Sequence, residues 1–143
     1  MTRSEKEKKI IHLITSLSSS IMKIRYDMSL PYDLSTLQAE ILYDLYSNPK
    51  SKVTDICQRL GKSTNSISPL LQKLESKDFI EREQSKTDAR ISFLSLKEKG
   101  KNVIGELEND IKDYTEPMFK KITDELLDST IKNLIMIKEV VEE

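Results

Sequence analysis

Two short amphipathic segments near the middle of the chain, separated by Gly61, constrain its fold more than any other feature. The first, "VTDICQRL", has an apolar helical face made of Val53, Ile56, Cys57 and Leu60. The second, "KSTNSISPLLQKLE", repeats apolar residues at helical spacing, at Ile67, Leu70, Leu71 and Leu74. Because two short helices joined by a tight, glycine-containing turn form a helix-turn-helix, the two segments predict this motif.

The second helix has a polar face of short hydrogen-bonding side chains with hardly any charge: Ser63, Thr64, Asn65, Ser66, Ser68 and Gln72. Base edges in the major groove of DNA offer donors, acceptors and methyl groups, and short polar side chains let a helix approach them. The first turn also offers free amides to a phosphate. Taken alone, this face fits a solvated helix start better, because Ser, Thr and Asn are favoured caps.

A β-hairpin is predicted directly after this helix. The segment "ISFLSL" alternates Ile91 and Phe93 with Ser92, and its β-branched and aromatic content favours a strand. "FIERE" supplies a second strand, and the polar "QSKTDAR" connects the two. The hairpin completes a winged helix-turn-helix and, with the charge distribution, shifts the interpretation of the polar face towards DNA binding.

Long helices are predicted on both sides of this module. The first, residues 4–28, begins at a capping box of Ser4 and Glu7, and a second box, Ser35 with Gln38, starts the next helix. A third box, Ser95 with Glu98, starts a helix with a seam at Ile104, Leu107, Ile111, Tyr114 and Met118. The last helix, about 123–142, is predicted to bury Leu127, Ile131, Leu134, Ile135 and Val141. The first helix has a comparable seam at Ile10, Ile14, Leu17, Ile21, Ile24 and Met28, and such narrow seams favour packing against a second chain.

The predicted fold is mainly α with a small β-hairpin wing. At 143 residues the chain fits one domain. Residues 1–34 and 97–143 are predicted to be dimerisation helices, and 35–96 the winged helix-turn-helix module. The expected assembly is therefore a homodimer.

Charge is distributed unevenly along the chain. Residues 50–101 carry 12 Lys and Arg against 7 Asp and Glu, although the whole chain has a formal net charge of −1. A basic middle between acidic flanks favours an anionic partner such as double-stranded DNA. On charge alone, random unevenness in a highly charged chain explains the pattern about as well.

Several classes of function are disfavoured. The single histidine and single cysteine, His12 and Cys57, lie in no catalytic setting, and no phosphate-binding loop, HExxH or CxxC is present. We therefore expect no enzyme, no metal site and no cofactor. No apolar run is long enough to cross a membrane, and no secretion signal precedes the first helix. The expected location is the cytoplasm.

The segment from Leu60 to Gly100 resembles the MarR family of bacterial transcription regulators, and best its OhrR-like and MgrA-like branch. The more specific part is the wing, "DAR" followed by a strand and "LSLKEKG". The resemblance implies a sequence-specific DNA-binding regulator, a homodimeric repressor that acts on a pseudo-palindromic operator and is released by a small-molecule effector. It implies that Arg90 enters the minor groove while Asp88 holds its guanidinium, with backbone contacts from Arg82, Lys86, Lys73 and Lys62. The simpler alternatives are a surface ion pair and solvated basic side chains.

Two other functions stay open. One is a winged-helix protein-interaction module without DNA binding, and the other is a thiol-based redox sensor that uses Cys57. The branch senses peroxides through a cysteine near the start of the first helix, which this chain lacks, and the apolar setting of Cys57 favours an inert thiol. The family also binds small aromatic ligands, so a small aromatic effector is a further expected partner. Four tyrosines either line such a cleft or pack in the core: Tyr26, Tyr32, Tyr43 and Tyr46.

Overall fold

The computed structural model describes residues 1–142, so that Glu143, the end of the predicted segment 97–143, lies outside the described residues. In chain order the elements are α1 (Arg3–Ser29), a 3₁₀ turn (Leu30–Tyr32), α2 (Thr36–Ser47), α3 (Val53–Leu60), α4 (Thr64–Ser76), β1 (Ile80–Gln84), β2 (Ser92–Leu96), α5 (Glu98–Phe119) and α6 (Asp124–Glu142). Strands β1 and β2 pair antiparallel, with Ile80 opposite Leu96 and Gln84 opposite Ser92. The predicted winged helix-turn-helix with long terminal helices is confirmed.

The chain divides into two compact units, Met1–Asn109 and the residues from Asp110 onward. The first unit contains α1 to α4, the hairpin and the beginning of α5. The second contains the end of α5 and α6. The predicted division at residues 34/35 and 96/97 within one domain stays a prediction.

The core of the first unit joins the helix-turn-helix to the wing. Fully buried apolar side chains come from α2, α3, α4, both strands and the beginning of α5: Ile41, Leu42, Leu45, Ile56, Ile67, Leu71, Leu74, Ile80, Leu94, Ile104 and Leu107. Ser51 forms an isolated antiparallel bridge to Leu94 on the edge of β2 that faces away from β1, and so joins the segment before α3 to the hairpin. The same core therefore holds α4 and the strand that carries the wing.

One of the predicted capping boxes is confirmed. The Gln38 amide donates to Ser35 Oγ at 3.1 Å, and the Ser35 amide donates to Gln38 Oε1 at 3.0 Å. These reciprocal bonds satisfy two of the free amides at the start of α2.

The other two predicted boxes were wrong. Helix α1 begins one residue earlier than predicted, and its box is formed by Thr2 and Glu5, whose carboxylate accepts from the Thr2 amide at 2.6 Å. Glu7 pairs instead with Arg3, one helical turn away. Ser95 lies inside β2 opposite Glu81, so its backbone belongs to the strand pair and cannot cap α5.

Much of the apolar surface of α1 and α6 is exposed within the chain, whereas the α5 seam is buried at Ile104 and Leu107. In α1 large apolar side chains such as Ile10, Leu17 and Ile21 face solvent. In α6 none of the described residues is buried, so the predicted burial of Leu127, Ile131, Leu134, Ile135 and Val141 is not found within one chain. A helix cannot bury its own apolar face, because burial requires another surface that packs against it. Among residues 1–142, no helix has the length and apolar character that a membrane crossing requires.

Candidate nucleic-acid interface

Gly61 and one apolar stripe fix the position of α4. Gly61 adopts the left-handed conformation (φ 62°), which glycine reaches without steric cost, and the Lys62 amide donates to the Cys57 carbonyl at 3.0 Å. The chain thereby leaves α3 and enters α4 within three residues. Ile67, Leu71 and Leu74 bury one face of α4, and the helix continues through Pro69 without a break.

The opposite face of α4 presents most of the predicted polar side chains. Ser63 is the cap residue, since its Oγ accepts from the Ser66 amide at 3.3 Å and lies 3.0 Å from Ser66 Oγ. Ser68 is half-buried, and the remaining predicted residues are exposed: Thr64, Asn65, Ser66, Gln72 and Lys73. The capping alternative is thus correct for Ser63, while Asn65 and Gln72 lie on a free surface where they can reach a ligand.

The wing tip is ordered by Asp88. Its carboxylate accepts hydrogen bonds from Arg90 Nε and Nη2, both at 3.2 Å, and from the Arg90 amide at 3.0 Å. Side-chain hydrogen bonds from Arg90, followed by its backbone hydrogen bond, lower the pKa of Asp88 below its ordinary value. The Arg90 side chain is nevertheless 91% exposed. The ion pair therefore orients a guanidinium that stays accessible to an anion.

The two other predicted wing residues differ in position. Lys86 lies exposed in the loop between the strands. Arg82 lies at the base of the wing, where its Nη2 donates to Glu75 Oε1 of α4 at 2.7 Å and its Nε donates to the same oxygen at 3.2 Å. This ion pair connects the wing to α4, so Arg82 has a structural role whether or not it also contacts a ligand.

A recess between α3 and the wing contains residues that sequence reasoning missed. It has a volume of about 210 Å³, and Lys52 and Thr54 at the start of α3 line it together with Arg82 and Arg90. Three cationic side chains and the positive end of α3 meet here, an arrangement suited to a phosphate. The sequence signal that could have indicated this recess was Lys52, which directly precedes the first helix of the helix-turn-helix.

The fold and the motif match one family. A sequence model of the MarR family matches residues 34–92. The chain is 33% identical over 78 residues to the HTH-type transcriptional regulator MgrA of Staphylococcus aureus, covering 54% of this chain and 53% of MgrA. It is 32% identical over 101 residues to the HTH-type transcriptional regulator YwaE of Bacillus subtilis, covering 68% of this chain and 59% of YwaE. The chain belongs to the MarR family.

A solved structure agrees with this assignment at the level of the fold. The structure of Streptococcus pneumoniae FabT in complex with DNA superimposes with a TM-score of 0.77 at 20% identity, covering 95% of this MarR-family chain and 97% of FabT. The chain spans only a little more than half the length of MgrA and YwaE in their sequence matches. The family and these relatives are transcriptional regulators rather than enzymes.

Cys57 and His12 do not form part of the exposed candidate interface. Cys57 is 8% exposed and packs in the core of the first unit, with its Sγ 3.9 Å from Thr64 Oγ1. His12 is exposed on α1. Residues 1–142 contain no cluster of His, Cys, Asp and Glu that could hold a metal ion.

The four tyrosines divide between core and surface. Tyr32 and Tyr43 pack against the core, and the guanidinium of Arg25 lies 4.8 Å from the centre of the Tyr43 ring. Tyr26 and Tyr46 are exposed. The crevice that Tyr43 lines between α1 and α2 has no interior space for a small molecule.

Proposed function

We propose that this MarR-family chain is a sequence-specific DNA-binding transcriptional regulator, a homodimer that represses by occupying a pseudo-palindromic operator. The observations that carry the proposal are the exposed polar side chains of α4 and the oriented, exposed guanidinium of Arg90, on a wing that the Arg82–Glu75 ion pair joins to α4. Short side chains such as Asn65 and Gln72 suit the major groove. An exposed arginine at a wing tip suits the minor groove, where the negative potential is strongest.

The recess beside α3 supports contact with the DNA backbone. Lys52, Arg82 and Arg90 supply positive charge next to free amides at the start of a helix. Because such contacts release counterions, they make binding depend strongly on salt. Phosphate contacts would set the position of the module, and base contacts of α4 would supply its specificity.

The exposed seams support the homodimer. Apolar side chains in regular spacing on α1 and α6 face solvent in a single chain, and large apolar patches mark protein interaction surfaces. A second copy offers the same helices and the same spacing. Two copies would present two α4 helices to half-sites about one helical turn (~10 bp) apart.

Fluorescence anisotropy with a duplex selected from random sequence by the wild-type protein tests DNA binding. We expect wild type to prefer the selected duplex over a scrambled one, with affinity that falls steeply as salt rises. Arg90→Ala should weaken binding by about tenfold, because one oriented groove contact is worth roughly 1–3 kcal/mol. Lys9→Ala, which removes the same charge from exposed α1, is the matched control and should bind like wild type.

Two outcomes would contradict the proposal. If wild type enriches no sequence and binds no duplex at low salt, the module is a protein-interaction domain. If Arg90→Ala and Lys9→Ala weaken binding equally, the effect comes from net charge and the wing has no specific role.

Repression and its release need separate measurements. In vitro transcription from a promoter that overlaps the selected site should decrease when the protein is added, and an increase would mean that the protein is an activator.

We further propose that a small aromatic effector releases the protein from the duplex. Small aromatic carboxylates titrated into the anisotropy assay should lower the affinity for the selected duplex. Unchanged affinity across a panel of them would contradict the proposed release by an aromatic effector.

A further inference from the structure

A network of three side chains joins α2, α3 and the bridge to the wing. The Arg59 guanidinium donates from Nε and Nη2 to the two carboxylate oxygens of Asp44, each at 2.8 Å. Nη2 also donates to Ser51 Oγ at 2.6 Å, and Ser51 Oγ donates to the Asn48 carbonyl at 2.7 Å. We call Asp44, Arg59 and Ser51 the clasp.

The clasp is more enclosed than the other arginine ion pairs of residues 1–142. The Asp44 side chain is 7% exposed and the residue Ser51 is 4% exposed, while the Arg59 side chain keeps 34% of its surface. The hydrogen bond from its side chain to Asp44 raises the pKa of Arg59 above its ordinary value. In an enclosed setting the planar fork of arginine is specific in direction, and a lysine cannot reproduce it.

The backbone of Ser51 connects the clasp to the wing. Ser51 and Leu94 exchange two backbone hydrogen bonds, with lengths of 3.0 and 2.8 Å. Leu94 lies opposite Arg82 in the hairpin, and Arg82 pairs with Glu75 of α4. Contacts therefore run from α3 through the clasp to β2, across to β1, and back to α4.

We propose that Arg59 is a positioning residue for DNA recognition, which fixes the wing relative to α4 without touching DNA itself. All three hydrogen bonds that the Arg59 guanidinium makes in the clasp go to residues of the same chain. The chain connects α3 directly to α4 through the short turn at Gly61, so the placement of α3 bears on the placement of α4. Groove contacts from α4 and from the wing strengthen each other only when their spacing matches the duplex. This inference rests on the proposed function and adds a residue that no local sequence pattern indicates.

The test measures the ratio of specific to non-specific affinity in clasp variants. Arg59→Lys keeps the charge and loses the fork, while Ser51→Ala keeps the Asp44–Arg59 pair and loses the link to the bridge. By anisotropy we expect Arg59→Lys to weaken binding to the selected duplex about tenfold, the size expected for a residue that couples two parts of a site. Ser51→Ala should have a smaller effect in the same direction. Binding to a scrambled duplex should not change, because phosphate contacts do not depend on the fit to base edges.

Two control variants separate positioning from stability. Arg3→Lys makes the same chemical change in an exposed pair on α1 and should bind both duplexes like wild type. Ile41→Val trims the core three residues before Asp44 in α2, should lower the unfolding temperature and should leave the affinity ratio unchanged.

The outcomes distinguish this inference from the proposed function. An unchanged ratio in Arg59→Lys, an equal loss for both duplexes, or an equal loss of ratio in Ile41→Val would overturn the positioning role. In each of these cases a selective wild type leaves the proposed function standing. A wild type that enriches no sequence would overturn the proposed function and this inference together.

Discussion

Helices α4 and α6 contain similar apolar patterns and bury them differently. In α4, Ile67, Leu71 and Leu74 recur at spacings of three and four, and all three are fully buried. In α6, Ile131, Leu134 and Ile135 recur at comparable spacing, and each remains more than half exposed. The period of an apolar pattern identifies the face that will be covered, but not whether the covering surface belongs to the same chain.

This difference assigns different roles to the two regions. The helix-turn-helix and wing share a core that is buried within one chain, so their geometry does not depend on a second chain. The apolar faces of α1 and α6 remain available, and apolar area removed from water stabilises an association by roughly 25 cal/mol per Å² before the costs of binding. Mutations in the two regions should therefore have effects that differ in their dependence on protein concentration.

The largest effect is expected from the core of the first unit. Leu42→Ala removes a fully buried side chain of α2 and should lower the free energy of unfolding by about 2–5 kcal/mol, through lost burial and the cavity left behind. Urea unfolding followed by circular dichroism measures this loss, which should be the same at low and high protein concentration. A loss that vanishes at high concentration would mean that the core also depends on the partner.

The next effect concerns the seam of α6. Leu134→Glu places a charge on an exposed apolar face and should weaken the proposed homodimer by about 2–4 kcal/mol, because a charge in an apolar interface lacks a partner. Sedimentation velocity over a dilution series measures the dissociation constant. Asn133→Glu adds the same charge beside the seam and is the matched control. Equal dissociation in both variants, or none in either, would contradict an α6 interface.

A smaller effect is expected where α5 begins. An added Cβ at Gly100 would overlap the Phe79 carbonyl oxygen, which is held in place by the Lys97 amide at 2.9 Å. Gly100→Ala should therefore destabilise the first unit by about 1–3 kcal/mol. Gly105→Ala in the same helix meets no atom within 4 Å and should stabilise it by about 0.5–1 kcal/mol. Thermal unfolding compares the two variants, and stabilisation in both would show that the overlap at Gly100 is relieved by a small shift.

Much of the fold could be predicted because its signals are local. Gly61 marks the turn between α3 and α4, the Ser35–Gln38 box marks the start of α2, and alternating residues around Phe93 mark a strand. The pairing of Asp88 with Arg90 could also be predicted from the sequence, since one position separates the two residues. The role of this pair and of the α4 face in DNA binding stays a prediction.

Other parts of the candidate site could not be predicted, because they depend on residues distant in sequence. Asp44 and Arg59 are separated by 15 positions and meet only after α2 and α3 pack together. Lys52 joins Arg82 and Arg90 only through the bridge at Ser51. The false box at Ser95 had the correct residue types, but the strand pairing of Ser95 with Glu81 took precedence over the helix signal.

The smallest effect contrasts the exposed wing tip with the buried core. Arg90 lowers the pKa of Asp88 from its ordinary value of 3.8, so the ionised carboxylate orders the loop above that value, and this contribution is lost as the pH falls through the lowered pKa. Removing Arg90 with Arg90→Ala should return the pKa of Asp88 towards its ordinary value, and Arg90→Lys should give an intermediate pKa because lysine lacks the fork. The carboxyl ¹³C shift of Asp88, followed by NMR against pH, measures all three proteins. Because this pair is solvated, overall stability should hardly change between wild type and Arg90→Ala near neutral pH. Equal pKa values of Asp88 in the three proteins would mean that the guanidinium is not held at the wing tip in solution.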